Sequence, residues 1–328
     1  MPEPTSLTSA LDVESAWGKW REHLLTQFEM LSDEALRAKL YLLVDSRANH
    51  GVDKLLPQVP GLAWASLWQG SVLESYTDIA PYLIQIDRMA FSDPRDLQNR
   101  LVRRLWKEGF EQYMLTWVWS PLDLESLSRH FRHYCSYATP DKRAYFLHWY
   151  DNRILERLRT VWTAEQVRAF LSPCAELWYR DRDLNDVVWH NDAEAVDSAI
   201  TEEQVLSVDQ HGQLLKLGMP DKFAMQLREM YGAILDSVSD TTLFHRVSEQ
   251  LGRAERYRIV EDDDLLNFVS KGLVISPRFD EHPVIEERLA RAMQGAMTYR
   301  DALTGIDREV LRQASCMHEL SHSQASQT

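Results

Sequence analysis

His130 and His133 stand three residues apart in a stretch with helical spacing, an interval at which one helix face can offer two imidazoles to a metal ion. Their neighbours Phe131 and Tyr134 are packing residues and no third ligand stands close in sequence, so two ordinary helix histidines are the simpler reading. His148, between Leu147 and Trp149, reads as a core-edge histidine held by a hydrogen bond. Asp45, Asp87 and Asp151 each follow a predicted strand, where α/β enzymes place catalytic groups. Polar loop residues fall at the same places in any chain, and three scattered acids specify no reaction. The run Glu261-Asp-Asp-Asp264 lacks the alternation and glycine of a calcium loop, and it directly precedes Leu265-Leu266, so it reads as charge at a helix N-terminus. No glycine-rich phosphate loop, serine nucleophile elbow or zinc-protease signature occurs. The sequence therefore assigns no catalytic, cofactor-binding or metal-binding residue, and the expectation is a protein that is not an enzyme and carries no cofactor.

The elements that would position these residues begin with Trp17, Trp20, Leu24, Phe28 and Leu31, spaced by three and four on one helical face. Short apolar runs at 39–44, 62–68, 81–86, 114–119 and 144–150 are strand candidates. Asp93-Pro94 is read as the start of a helix striped by Leu97, Leu101, Leu105 and Trp106 and ended by Gly109. Leu124, Leu127, Phe131 and Tyr134 form another helical face, Asn152 is a candidate cap, and Thr163-Ala-Glu-Gln166 matches a capping box. Strands alternating with helices predict an α/β lobe with a mixed sheet flanked by helices. Trp64, Trp68, Trp117, Trp119 and Trp149 fall within the strand candidates and are read mostly as core. Any left exposed beside arginine would have the composition of a protein-binding hot spot.

Residues 187–189 and 213–217 are possible short strands in a transitional stretch, and Gly218 and Pro220 mark its end. Beyond them helical spacing dominates, through Phe223, Leu227 and Met230, then Leu243, Val247 and Leu251, then Leu265 and Phe268. His282-Pro283 opens a further helix, and Leu303, Ile306, Val310 and Leu311 suggest a last one before a polar tail. The predicted organisation is an α/β domain over 1–180 with its N-terminal helix, a connecting segment over 181–217, an all-helical lobe over 218–314 and a tail over 315–328.

Charge follows the same division. The 328 residues carry 36 Lys and Arg against 50 Asp and Glu, a net −14. Residues 1–175 hold 20 basic and 22 acidic side chains, while 176–328 hold 16 and 28. All 11 Trp lie between Trp17 and Trp189. An acidic surface disfavours general binding to nucleic acid. No apolar run approaches the roughly 18–20 residues that span a bilayer, and Met1-Pro-Glu-Pro4 lacks the basic start of a signal peptide. Cys135, Cys174 and Cys316 make neither a disulfide framework nor a four-cysteine metal site, which fits a reducing compartment. The expected location is the cytoplasm, without membrane or nucleic-acid partners.

The order of several segments resembles a known family. They are Tyr41-Leu-Leu-Val-Asp45, then Trp68-Gln-Gly-Ser-Val-Leu-Glu-Ser-Tyr-Thr-Asp-Ile-Ala-Pro-Tyr-Leu83, then Trp106-Lys-Glu-Gly109. Pro121-Leu-Asp-Leu-Glu-Ser-Leu-Ser-Arg-His-Phe-Arg132 and Phe146-Leu-His-Trp-Tyr-Asp-Asn-Arg-Ile-Leu155 complete the series. Together, over residues 39–180, they resemble the adaptor (chaperone) proteins of bacterial type VI secretion. The resemblance implies a cytoplasmic, non-catalytic protein that binds a toxic effector and helps load it on the spike-tip protein of the secretion apparatus. The family's strand-end pattern of Arg, aromatic, Tyr, Asp, Pro, Arg matches at Tyr150, Asp151 and Arg153, with His148 in place of Arg and Asn152 in place of Pro. Two other readings remain open: a hydrolase using Asp45, Asp87 and Asp151, which predicts that these groups converge, and an acidic immunity protein that inhibits a toxin.

Overall fold

The computed structural model describes residues 10–31, 37–49, 51–109, 112–191 and 203–325. Met1-Pro-Glu-Pro4 lies outside them. The chain divides into two compact units, Met1–Leu215 and Lys216–Thr328.

In the first unit α1 (Ala10–Leu31) is followed by β1 (Lys39–Asp45), α2 (Val52–Leu55), β2 (Trp64–Ser66) and β3 (Pro81–Ile86). Next come α3 (Arg88–Ser92), α4 (Leu97–Gly109), β4 (Leu115–Ser120), α5 (Leu124–His133), β5 (Ser136–Ala138) and β6 (Ala144–Phe146). The unit continues through α6 (Asn152–Val161), α7 (Ala164–Leu171), β7 (Glu176–Arg180) and β8 (Asp186–His190). Six strands pair in the order β2-β3-β1-β4-β7-β8, and β5 pairs with β6 separately. This is the sheet flanked by helices that the alternation of elements predicts.

Every pairing within the six-stranded sheet is antiparallel. The reason lies in one connection. β3 and β4 run the same way and are joined through α3 and α4, but β1 lies between them and pairs antiparallel with both. A parallel pairing is found in the isolated bridge between Ala138 and Val205.

The central strands are buried along nearly their whole length, as strands covered on both faces must be. Trp117 and Trp119 of β4 point to the α1 side, where Trp20 and Phe28 meet them at 6.2 and 4.8 Å between ring centroids. Thr116, one residue out of phase, turns to the other face and bonds Asn152 at the start of α6. Of the five tryptophans read as strand residues only Trp64, on the edge strand β2, is exposed.

Some local expectations change. The strand expected over 144–150 stops at Phe146, and beyond Leu147, whose N–H bonds the Cys135 carbonyl at 2.8 Å, the chain turns, the Asp151 N–H bonding the His148 carbonyl at 3.0 Å. Asp96, not Asp93, accepts the Gln98 N–H at the start of α4. Asp151, not Asn152, caps α6. The capping box of Thr163 and Gln166 at α7 is present with both of its bonds. Residues 186–190 form the edge strand β8, whereas 213–217 lie in α8 (Val208–Leu235), which runs on through Gly218 and Pro220. Leu214 and, further on, Phe223 and Leu227 bury from this helix, so packing of a helical stripe outweighs the two breakers.

The second unit takes in the rest of α8 with α9 (Asp240–Arg256), α10 (Asp262–Val274), α11 (Pro283–Met293), α12 (Tyr299–Leu303) and α13 (Arg308–Ala325). The all-helical character matches the sequence reading. Phe223, Leu227, Leu243, Val247 and Val269 form one core cluster, and Phe268, Phe279, Ile285 and Leu289 belong to another, so α10 feeds both. The acidic run sits in the first turn of α10, where the helix dipole favours it. The last predicted helix is two, interrupted at Gly305, whose φ of +64° suits glycine. The residues expected as a polar tail continue as helix to Ala325, and 326–328 lie outside the described residues.

Candidate recognition site

Asp45 ends β1 opposite Pro81, the first residue of β3, so the far end of β3 with Asp87 lies at the opposite end of the sheet. There the Asp87 carboxylate caps α3 by accepting the Ala90 N–H at 2.8 Å. The three strand-end acids therefore do not converge. Two of them do. Arg47 Nη2 lies 2.5 Å from Asp45 Oδ2 and 3.2 Å from Asp151 Oδ2, and its guanidinium sits 5.2 Å from the centre of the Tyr150 ring. Arg153 completes the group, with Nε 2.9 Å from Asp151 Oδ1 and Nη2 2.8 Å from Oδ2.

Arg47 was not among the residues singled out in the sequence, although a local signal exists. Asp45-Ser-Arg47 and Asp151-Asn-Arg153 share one pattern and one fold: in each the aspartate Oδ1 accepts the backbone N–H of the arginine two residues on. The Asp151 carboxyl is nearly buried, which pushes its pKa up. The hydrogen bonds and charge of Arg153, with the charge of Arg47, more than reverse this and hold it below the usual value. For Arg47 burial acts to lower the pKa, and the hydrogen bonds and charge of Asp45 with the charge of Asp151 raise it. Each buried acid thus has a fixed cationic partner, an arrangement suited to holding β1, Tyr150 and α6 together.

Asn152 and His148 each have a local role. Asn152 is the first residue of α6. Its side chain accepts from Thr116 Oγ1 at 2.9 Å and donates to the Leu115 carbonyl at 3.0 Å, tying α6 to β4. His148 Nδ1 lies 2.6 Å from the Tyr150 hydroxyl. Burial, then the charge of Arg47, lowers the His148 pKa below its ordinary 6.5. A depressed histidine binds its proton more weakly folded than unfolded. Stability is therefore full above pH 6.5, falls as the pH drops towards the folded value, and changes no further through this group below it. His133 is lowered by burial and adds a contribution of the same sign. Asp151 contributes in a separate, more acidic step, lost as the pH falls from the ordinary aspartate value of 3.8 towards its lowered one. The expected result is a melting temperature that declines between pH 7 and pH 5, with a shallower decline in His148→Gln. An unchanged slope in that variant would remove His148 from the account.

His148 also borders a groove. After β2 the chain turns through Leu67, Trp68, Gln69 and Gly70, the last at φ +77°, and runs beside the final turns of α5. Arg129, Arg132 and His133 of α5 line the groove with Cys135, Ser136 and Phe146, enclosing about 350 Å³. Arg132 fastens the loop to the helix, donating from Nε to the Ser66 carbonyl at 3.2 Å and from Nη2 to Gln69 Oε1 at 2.7 Å. Burial pushes the Cys135 thiol up to about 12, so it is no thiolate at neutral pH. His130 and His133 part company: His130 is buried with Nε2 2.9 Å from the Phe170 carbonyl, while His133 is half-buried at the groove. Among the described residues no three of His, Cys, Asp and Glu are grouped to hold a metal ion. A second cavity, of about 30 Å³ beside Trp20, Trp117 and Tyr179, has room for about one water. No helix among the described residues is long and apolar enough to cross a membrane.

The groove and the Asp-x-Arg pair fall inside one recognised segment. Residues 40–169 match the family model for a domain of unknown function, DUF4123. The DUF4123 segment runs from β1 into α7, and so contains every groove residue and all four members of the Asp45, Arg47, Asp151 and Arg153 group. It leaves out β7 and β8, which extend the sheet beyond β4. No curated protein matches the chain, and no solved structure does.

Proposed function

We propose that this protein is a non-enzymatic adaptor that binds a type VI secretion effector and promotes its loading on the spike-tip protein. The observation that carries the reading is the DUF4123 match over residues 40–169, which coincides with the segments whose order resembles the secretion adaptors. Two features of the same unit support it. The converging acids Asp45 and Asp151 are each ion-paired with arginine and so are poorly placed to act as general bases. The open concavity of the unit joins arginine to exposed aromatic surface, the composition of protein-binding hot spots.

Deleting the gene in its host and comparing secreted proteins tests the proposal. Loss of one toxin from the medium, restored by the gene in trans, while the tube protein is still released, is the expected result. Unchanged secretion of every effector would sink it. Self-intoxication of the deletion strain with normal secretion would favour the immunity reading instead.

A further inference from the structure

We infer that the groove between the β2 loop and the end of α5 receives an acidic peptide segment, with a carboxylate against Arg132 and Arg129 and an apolar neighbour against Phe146. The inference rests on the adaptor reading only for the source of that segment, a bound protein.

The charge of Arg132 is the starting point. Arg132 is half-buried, and its hydrogen bonds go to two neutral oxygens, the Ser66 carbonyl and Gln69 Oε1. Among the described residues it forms no ion pair. Glu74 and Glu125 act on it only through space, whereas burial, and then repulsion from Arg129, disfavour its charged form. A partly desolvated guanidinium with no ion-pair partner gains from an incoming carboxylate, which meets its remaining donors with charge-assisted hydrogen bonds. Arg129 is available beside it. Its pairing with Glu125 at 3.2 Å is exposed on both sides, the kind worth about 0–1 kcal/mol, so exchange for a ligand carboxylate loses little.

The walls select a peptide over a free anion. Phe146 on β6 leaves 53% of its surface exposed at the groove, and the half-buried Leu73 supplies further apolar lining. A small inorganic anion would leave this surface wet. The volume of about 350 Å³ suits two or three side chains. Two arginines do not make the extended basic track that nucleic acid requires.

The test uses the full chain and two capped pentapeptides, acetyl-Leu-Glu-Phe-Asp-Leu-amide and its neutral isostere acetyl-Leu-Gln-Phe-Asn-Leu-amide. Calorimetric titration should show the acidic peptide binding at least about tenfold more tightly, with affinity falling as salt is raised. Arg132→Gln should remove that preference. Because this change also loosens the loop held by Ser66 and Gln69, Arg129→Ala on the exposed side of α5 serves as the second variant and should weaken the acidic peptide several-fold with an unchanged melting temperature. Equal affinity for the two peptides, no binding of the acidic one at millimolar concentration, or full competition by inorganic phosphate would overturn the inference. Protein cargo captured by the native chain and equally by both variants would overturn it while leaving the adaptor reading intact. Selective peptide binding by a chain that captures no cargo would support it and remove the adaptor reading.

Discussion

Asp280→Ala is expected to destabilise the helical unit by about 3–5 kcal/mol, the usual cost of removing one partner from a buried ion pair. The Asp280 side chain is 1% exposed and that of Arg253 9%. Arg253 reaches Asp280 Oδ1 from Nε at 2.9 Å and from Nη2 at 2.7 Å, and the Tyr257 hydroxyl donates to Oδ2 at 3.2 Å. Taking away the carboxylate leaves a buried guanidinium short of its acceptor, while the half-buried Tyr257 hydroxyl keeps the Asp280 carbonyl at 3.3 Å. Glu281, 2.8 Å from Arg253 and partly exposed, remains as a substitute and places the loss towards the lower end of the range. Urea unfolding followed by far-ultraviolet circular dichroism measures the effect, because this unit is helical and contains no tryptophan. Replacing both partners by apolar residues, Arg253→Met with Asp280→Leu, should recover most of the loss, since the cost lies in the orphaned charge. A single-variant loss below about 1 kcal/mol would contradict this account of the network.

In the first unit the corresponding change is Asp151→Ala, with an expected loss of about 3 kcal/mol. Two effects combine. Arg47 and Arg153 lose their shared carboxylate, and α6 loses the side chain that caps it. Both arginines keep about a third of their side-chain surface in water, which softens the first effect relative to the fully buried pair around Arg253. Asp151→Asn retains a capping oxygen and should lose clearly less. Tryptophan fluorescence is the direct reporter, because all 11 Trp lie within this unit. A tryptophan transition that does not move in Asp151→Ala would mean that the cluster does not hold β1 and α6 together.

Much of the architecture was legible in the sequence because it is local. The period of the α1 stripe, the capping box at Thr163 and Gln166 and the acidic first turn of α10 each depend on residues within a few positions of one another. Strand direction was less accessible. It depends on β1 lying between β3 and β4, a matter of long-range pairing that no spacing encodes. The strand β7 was not singled out, although Trp178 packs against Trp119 and Trp20. Its five residues carry a run too short to stand out beside its neighbours.

At the site, the acids were visible and their partner was not. Asp45 and Asp151 drew attention as strand-end carboxylates, while Arg47, which reaches Asp151 across 104 residues, looked like an ordinary loop cation. The repeated Asp-x-Arg tripeptide was the available signal. The groove had a partial signal in the clustered Arg129, Arg132 and His133 of α5. Its other wall comes from the loop after β2, and that meeting of distant segments appears only in three dimensions.

The most direct measurement of the central claim is affinity capture of the tagged full-length protein from its own host, with the secretion apparatus expressed, followed by identification of what is retained. The adaptor account predicts one toxin-like protein together with a spike component, with the toxin still captured when the spike gene is silenced. Capture of neither, from cells shown to assemble the apparatus, would contradict the account.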